Sequence, residues 1–210
     1  MAAFDAAIAA GHGIECDVRA SRDGVAFVFH DATLRRMTGR DAAIADLDAA
    51  HIDAITLPDG GAIPRLSTLL ARCDGHVPLL VEIKAEQAFT PICEAVARDL
   101  ADWPGAPVAI MSFHPRVVRW FAKRRHERVR GIVLTQQGKG WLRGRIERAL
   151  ALWLSKPDFL ACDIRDLPSN LSRNARKRGM AVLTWTVRSE SDRARAAAHA
   201  DRPIYERADD

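Results

Sequence analysis

Apolar and polar positions along this chain follow two alternating periods. Short apolar runs rich in β-branched residues lie at 13–18, 25–30, 77–84, 108–113, 131–135, 159–164 and 181–187, and they read as strands, with a final short one at 203–205. Apolar residues at helical spacing predict helices over 2–10, 64–73, 90–100, 115–126, 140–155, 169–178 and 190–199. Gly11 and Gly179 close two of them and Pro64 opens another, as helix-end chemistry favours. The stretch 37–64 is polar and irregular, with one short helix over 47–55. Strands alternating with helices predict a parallel α/β sheet, and so many units favour a barrel over an open sheet. The first two strands break the alternation, because only the Asp23-Gly24 turn signal separates them. No linker or shift of composition marks a boundary, so residues 1–210 are expected to form a single domain.

Those first two runs also carry charge. Glu15 and Asp17 stand two apart in a strand, so both side chains leave the same face. The second run ends on His30-Asp31. Two acids and a histidine at the ends of neighbouring strands can hold a divalent cation beside a proton-transfer group.

Length and charge narrow this picture. With 210 residues, 48% of them hydrophobic, the chain can bury one sizeable core. A full (β/α)8 barrel takes about 250 residues, and about 200 is near its lower limit. The formal charge of +4 permits anionic substrates and is too small to indicate nucleic-acid binding. Four widely spaced cysteines form no CxxC pair, which leaves a zinc or redox motif unsupported, and Cys16 and Cys162 fall within strands as small buried residues. No apolar run reaches the roughly 18 residues of a membrane span. Residues 1–10 have no basic flank or cleavage context and read as helix rather than signal peptide, so a cytoplasmic location is expected.

The run Gly13-Ile14-Glu15-Cys16-Asp17-Val18, then Asp23-Gly24, then His30-Asp31-Ala32-Thr33-Leu34 resembles the glycerophosphodiester phosphodiesterase family. Leu80-Val81-Glu82-Ile83-Lys84 is similar to that family's Glu-Ile-Lys strand. Ile63-Pro64-Arg65-Leu66 and Thr184-Trp185-Thr186-Val187 resemble two further elements, in the family's order. The resemblance implies a TIM-type (β/α)8 barrel and metal-dependent hydrolysis of glycerophosphodiesters to glycerol 3-phosphate and an alcohol. It implies Glu15, Asp17 and Glu82 as ligands of Mg²⁺ or Ca²⁺, hard cations that seek oxygen. His30 matches one of the family's two acid–base histidines, and imidazole suits that task at neutral pH. Lys84, facing the same side as Glu82, would meet a phosphate oxygen, and Trp185 would wall the glycerol or alcohol group.

The chain departs from the family at its start. The family opens with a His-Arg-Gly strand, and 1–8 corresponds instead to the middle of the first helix, so the barrel is expected to be incomplete at the N-terminus. His12 precedes the first strand, at the end away from the carboxylates, and does not replace the lost histidine. The alternative is therefore a truncated, catalytically impaired barrel that acts as a binding protein or inactive fragment.

Bland alternatives stay open at each position. The acids can pair with arginines at a strand end, Lys84 can face solvent, and Trp185 can belong to the core. Phe113-His114 ends another strand and is a further candidate for the barrel mouth. The basic run 116–130 alternates with Val117, Val118, Trp120 and Phe121 at helical spacing, which fits an outer helix with a solvated face rather than a nucleic-acid surface. In 140–155, Trp141, Leu142, Ile146, Ala149, Leu150 and Trp153 form one stripe flanked by Lys139, Arg143, Arg145 and Lys156. That stripe is expected to pack against the barrel, with a membrane surface as the other reading.

Overall fold

The computed structural model describes residues 1–85, 88–138 and 140–206, with the backbone alone at Trp141. Lys139 and the side chain of Trp141, both named in the sequence reading, lie outside the described residues. The chain divides into two compact units, Met1–Ile110 and Met111–Asp210.

The first unit runs α1 (Ala2–Ala9), β1 (Ile14–Ala20), β2 (Ala26–Val28), α2 (Arg35–Thr38), α3 (Ala49–Asp53), α4 (Leu66–Cys73), β3 (Leu79–Ile83) and α5 (Thr90–Ala101), and then enters β4 (Val108–Ser112). Its strand order is β2-β1-β3-β4. The β1–β2 pair is antiparallel and the β1–β3 pair parallel. The turn between β1 and β2 forms where Asp-Gly predicts it. Gly24 takes φ +81°, which a side chain would resist, and the Ser21 hydroxyl donates to Asp23 Oδ1 at 2.6 Å. Helices α4 and α5 lie against each other and against β2, with buried Leu69, Leu70, Ile92 and Val96.

The segment between β2 and α4 is irregular, as the sequence predicts, but it is not simply polar. Leu34, Ile44, Ile52, Ile55 and Ile63 are at most 2% exposed and form a small core with Phe27 and Phe29. Their spacing fits neither sheet nor helix period, because the backbone that gathers them is mostly turn, with α2, α3 and a 3-10 turn at Ile44–Asp46. The expected helix over 47–55 is confined to α3, after Asp48.

The second unit runs α6 (Pro115–Arg124), β5 (Arg130–Leu134), α7 (Trp141–Ser155), β6 (Phe159–Asp163), α8 (Asn170–Lys177), β7 (Ala181–Val187), α9 (Glu190–His199) and β8 (Arg202–Tyr205). Strands β5 to β8 pair in sequence order, each parallel to the next. Two helices begin on serine caps: Ser169 Oγ accepts from Ser172 N, and Ser189 Oγ accepts from Asp192 N, both at 3.1 Å. The core joins Ile132, Leu160, Cys162, Val182 and Val187 with Val118 of α6 and Ala175 of α8. Helix α6 buries Val117, Val118, Trp120 and Phe121 and leaves Arg116, Lys123 and Arg124 exposed, as its pattern predicts, while Arg119 is half-buried.

Helix α7 does not follow the expectation. Leu142, Ile146, Leu150 and Trp153 are 52–73% exposed rather than packed inward. The helix is seated by its other side, where Leu152 packs against the core and Arg119 donates to the Leu154 carbonyl at 3.2 Å. Both faces of α7 carry leucines, so periodicity alone does not choose between them. All four cysteines are buried and none forms a disulfide among the described residues, and burial pushes the Cys162 thiol up to about 12.

One glycine in this unit is required by packing. Gly131 pairs with Phe159 across β5 and β6, and a Cβ there would lie 2.1 Å from a Phe159 ring carbon. Phe159 is 4% exposed and has little room to yield. Gly131→Ala is expected to destabilise the fold by about 1–3 kcal/mol. A urea titration with an unshifted midpoint would contradict this packing account.

Candidate functional site

The pairing of β1 with β3 creates the cluster. In that parallel register Asp17 stands opposite Glu82 and Val18 opposite Ile83. Ile14, Cys16 and Val18 of β1, with Leu79, Val81 and Ile83 of β3, are at most 5% exposed and turn toward one face. Alternation sends Glu15, Asp17, Glu82 and Lys84 to the other face. One oxygen from each of Glu15, Asp17 and Glu82 lies within 4.8 Å of the others.

Lys84 closes this cluster. Its amide donates to the Val18 carbonyl at 3.0 Å, which extends the ladder beyond β3. Its Nζ lies 2.9 Å from Asp17 Oδ1 and also bonds Glu82. Burial pushes the Glu82 carboxyl up, and the Lys84 ammonium only partly holds it down. Burial works against the Lys84 charge as well, but Glu82 and Asp17 outweigh it and raise its pKa. The three carboxylates are hard oxygen donors that outnumber the single ammonium in contact with two of them. This donor set could hold a divalent metal ion.

His30 follows β2 beside this strand pair. The Phe29 amide donates to the Asp17 carbonyl at 2.9 Å, and Arg19 Nε donates to the His30 carbonyl at 3.1 Å. The side chain is 66% exposed, and Nδ1 lies 2.8 Å from Asp31 Oδ1. Asp31 Oδ2 in turn accepts from Arg36 Nε at 2.6 Å. Arg36 first, and His30 second, hold the Asp31 carboxyl below its usual range. An ionised carboxylate only accepts, so Nδ1 carries the proton and Nε2 is the basic nitrogen of the neutral ring. Sequence reasoning assigned neither Asp31 nor Arg36 a part. Asp31 adjoins His30 in the quoted motif, but its link to Arg36 depends on α2 folding back toward the strand end, which no local period reports.

The first unit therefore brings together Glu15, Asp17, Glu82 and Lys84, with His30 next to them along the chain fold. Trp185 belongs to the second unit, on β7. Its Nε1 donates to the Ala161 carbonyl at 3.1 Å, and its ring meets Phe113 edge to face, with centroids 5.4 Å apart. His114 caps α6 in the same unit, and burial, with Arg116 second, pushes its pKa down. His12 lies in the turn before β1, at the far end of that strand from Asp17.

Comparison with known proteins gives a consistent picture. The family model described as "Glycerophosphoryl diester phosphodiesterase family" matches residues 1–202. The chain is 32% identical over 200 residues to the "Probable glycerophosphodiester phosphodiesterase 2" of Mycobacterium tuberculosis, covering 89% of this chain and 73% of that protein. Among solved structures it is similar to a glycerophosphodiester phosphodiesterase from Thermotoga maritima, with TM-score 0.77 and 24% identity over 97% of this chain and 86% of the other. It is also similar to an Oleispira antarctica phosphodiesterase in complex with the product sn-glycerol-3-phosphate, with TM-score 0.82 and 22% identity over 97% and 85% of the two chains. At these identities the structural likeness carries the fold alone, α/β of the (β/α)8 barrel type. The family match over residues 1–202 and the 32% identity to the Mycobacterium tuberculosis protein go further: this chain belongs to the glycerophosphoryl diester phosphodiesterase family.

Proposed function

We propose that this chain hydrolyses glycerophosphodiesters to glycerol 3-phosphate and an alcohol in a metal-dependent reaction. The observation that carries this reading is the acid cluster of Glu15, Asp17 and Glu82 beside a shared lysine and a buttressed histidine. The product named for the Oleispira antarctica relative, sn-glycerol-3-phosphate, supports the same substrate class. Mg²⁺ or Ca²⁺ bound by the three carboxylates would neutralise the diester and polarise its phosphoryl oxygen.

The protein's own groups supply the rest. Lys84 offers a point charge to a phosphate oxygen. Water adds to phosphorus, the bond to the alcohol oxygen breaks, and that oxygen leaves with a proton. His30 moves one of these protons at Nε2 while Asp31 keeps Nδ1 protonated. Trp185, by its resemblance to the family's late Trp-Thr-Val strand, walls the glycerol or alcohol group. This reading takes residues 1–210 as a single domain that works in glycerol and lipid metabolism. Four buried cysteines that form no disulfide among the described residues support the proposed cytoplasmic location.

Release of glycerol 3-phosphate from glycerophosphocholine and glycerophosphoethanolamine is the direct test. Activity is expected with Mg²⁺ or Ca²⁺, abolished by chelator, and reduced about 10²- to 10⁴-fold in His30→Ala. Glu15→Ala is expected to remove the metal response. No release by a folded chain under any of these conditions would favour the binding-protein alternative.

Asp31→Asn is expected to lower kcat by roughly 10- to 100-fold with little change in KM, because the ring loses its fixed tautomer and not its place. Nitrogen chemical shifts of His30 should show the proton on Nδ1 in the parent and a mixed population in the variant. An unchanged tautomer would remove Asp31 from this role.

Glu82 links the site to stability. Burial raises its folded pKa above the ordinary 4.5, so the folded chain keeps this proton to higher pH than the unfolded chain does. Its contribution to stability therefore falls as pH rises from 4.5 through the folded value. Metal-free Glu82→Gln is expected to melt above the parent at pH 7 to 8, with the gap closing in acid. Added Mg²⁺ or Ca²⁺ should raise the midpoint of the parent only. A variant that melts below the parent at neutral pH would show that the Lys84 pair outweighs the burial.

A further inference from the structure

The exposed face of α7 has a pattern that a solvated helix does not need. Leu142, Ile146, Leu150 and Trp153 are 62%, 52%, 59% and 73% exposed. Their spacing places them in one stripe along a helix of 15 residues. At about 1.5 Å per residue the stripe from Leu142 to Trp153 is roughly 16 Å long. Arg145 and Lys156 border it on one side and Arg143 on the other, while Glu147 is the helix's acid and bonds Arg143 at 2.7 Å. The opposite side of the helix is already committed, through Leu152 in the core and the Arg119 bond to Leu154.

We infer that this face of α7 docks onto an anionic membrane surface, lying in the headgroup plane. No helix among the described residues is long and apolar enough to cross a membrane, and a shorter amphipathic one lies on it. The four apolar side chains would enter the acyl boundary, with Trp153 suited to the interface by its apolar ring and polar N–H. Arg145 and Lys156 would meet anionic headgroups, each contributing roughly a fivefold gain in partition, while Arg143 is offset by Glu147. Charge also decides between lipid and a second copy of this chain. A symmetric helix pair would crowd the cations bordering the two stripes, among them Arg145 and Lys156, against one another on a protein that is already +4. An anionic bilayer neutralises the same groups.

Cosedimentation with vesicles tests this, using phosphatidylcholine alone and phosphatidylcholine with phosphatidylglycerol in equal parts. The parent should bind the phosphatidylglycerol vesicles, release in high salt, and ignore phosphatidylcholine. Leu150→Asp combined with Trp153→Ser should bind at least about tenfold more weakly, since it removes half of the apolar stripe and adds an acid. Both positions are more than half exposed, so the thermal midpoint should not move, and a cooperative melt confirms that the variant is folded. Three outcomes would overturn the inference: no binding by the parent, equal binding by parent and variant, or a dimer on light scattering that the variant abolishes. None of these readouts involves hydrolysis, so the proposed activity stands or falls separately.

Discussion

The register between β1 and β3 is the constraint from which the site follows. Asp17 faces Glu82 across a parallel pair, and six neighbours on the same two strands are buried on the other face. Because the side-chain period of a strand is two, a slip of one residue would exchange the faces of one strand relative to the other. Acids would then enter the core while Ile14, Cys16 and Val18, or Leu79, Val81 and Ile83, moved out. Burial of each large apolar side chain is worth about 1.5–3 kcal/mol, so the hydrophobic face fixes the position of the acids without any attraction among them. The carboxylates are held in place by residues that never touch a ligand.

That arrangement sets electrostatics against stability. Glu82 lies under the surface where ionisation is disfavoured, and Lys84 is drawn in beside it with its own charge partly desolvated. Truncating Lys84 would leave Glu82 and Asp17 uncompensated, whereas neutralising Glu82 still leaves Asp17 beside the ammonium. The lysine is also a flexible stem with a compact charge, so it can exchange a carboxylate for an incoming phosphate oxygen more readily than a planar arginine could. By contrast, Arg36 near His30 engages Asp31 in a fixed role, where orientation matters more than exchange.

What the sequence makes legible is what each segment encodes by itself. β7 at Ala181–Val187 and α9 at Glu190–His199 have the bounds their periods predict, and most other elements differ by a residue or two at their ends. The acid cluster is legible for the same reason, since each strand carries its half at period two. The small core of Leu34, Ile44, Ile52, Ile55 and Ile63 is not, because turns gather those residues and leave no regular spacing. Nor is the orientation of α7, whose leucines lie on both sides. The chain from Arg36 through Asp31 to His30 spans only a few residues, yet it requires α2 to fold back on the strand end.

The charge balance at the cluster also bears on how an anion could bind there. The chain as a whole is basic, with a formal charge of +4, which favours approach of a diester from a distance. At the cluster itself the diester would meet Glu15, Asp17 and Glu82, and the ammonium of Lys84 is already shared between two of them. Protonation of Glu82 would relieve part of the repulsion, but at the cost of an acceptor oxygen. A hard divalent cation relieves it while using all three carboxylates as donors. On the proposed reading, affinity for phosphate at this place would depend on such a cation, which would free Lys84 to turn from Glu82 and Asp17 toward the substrate.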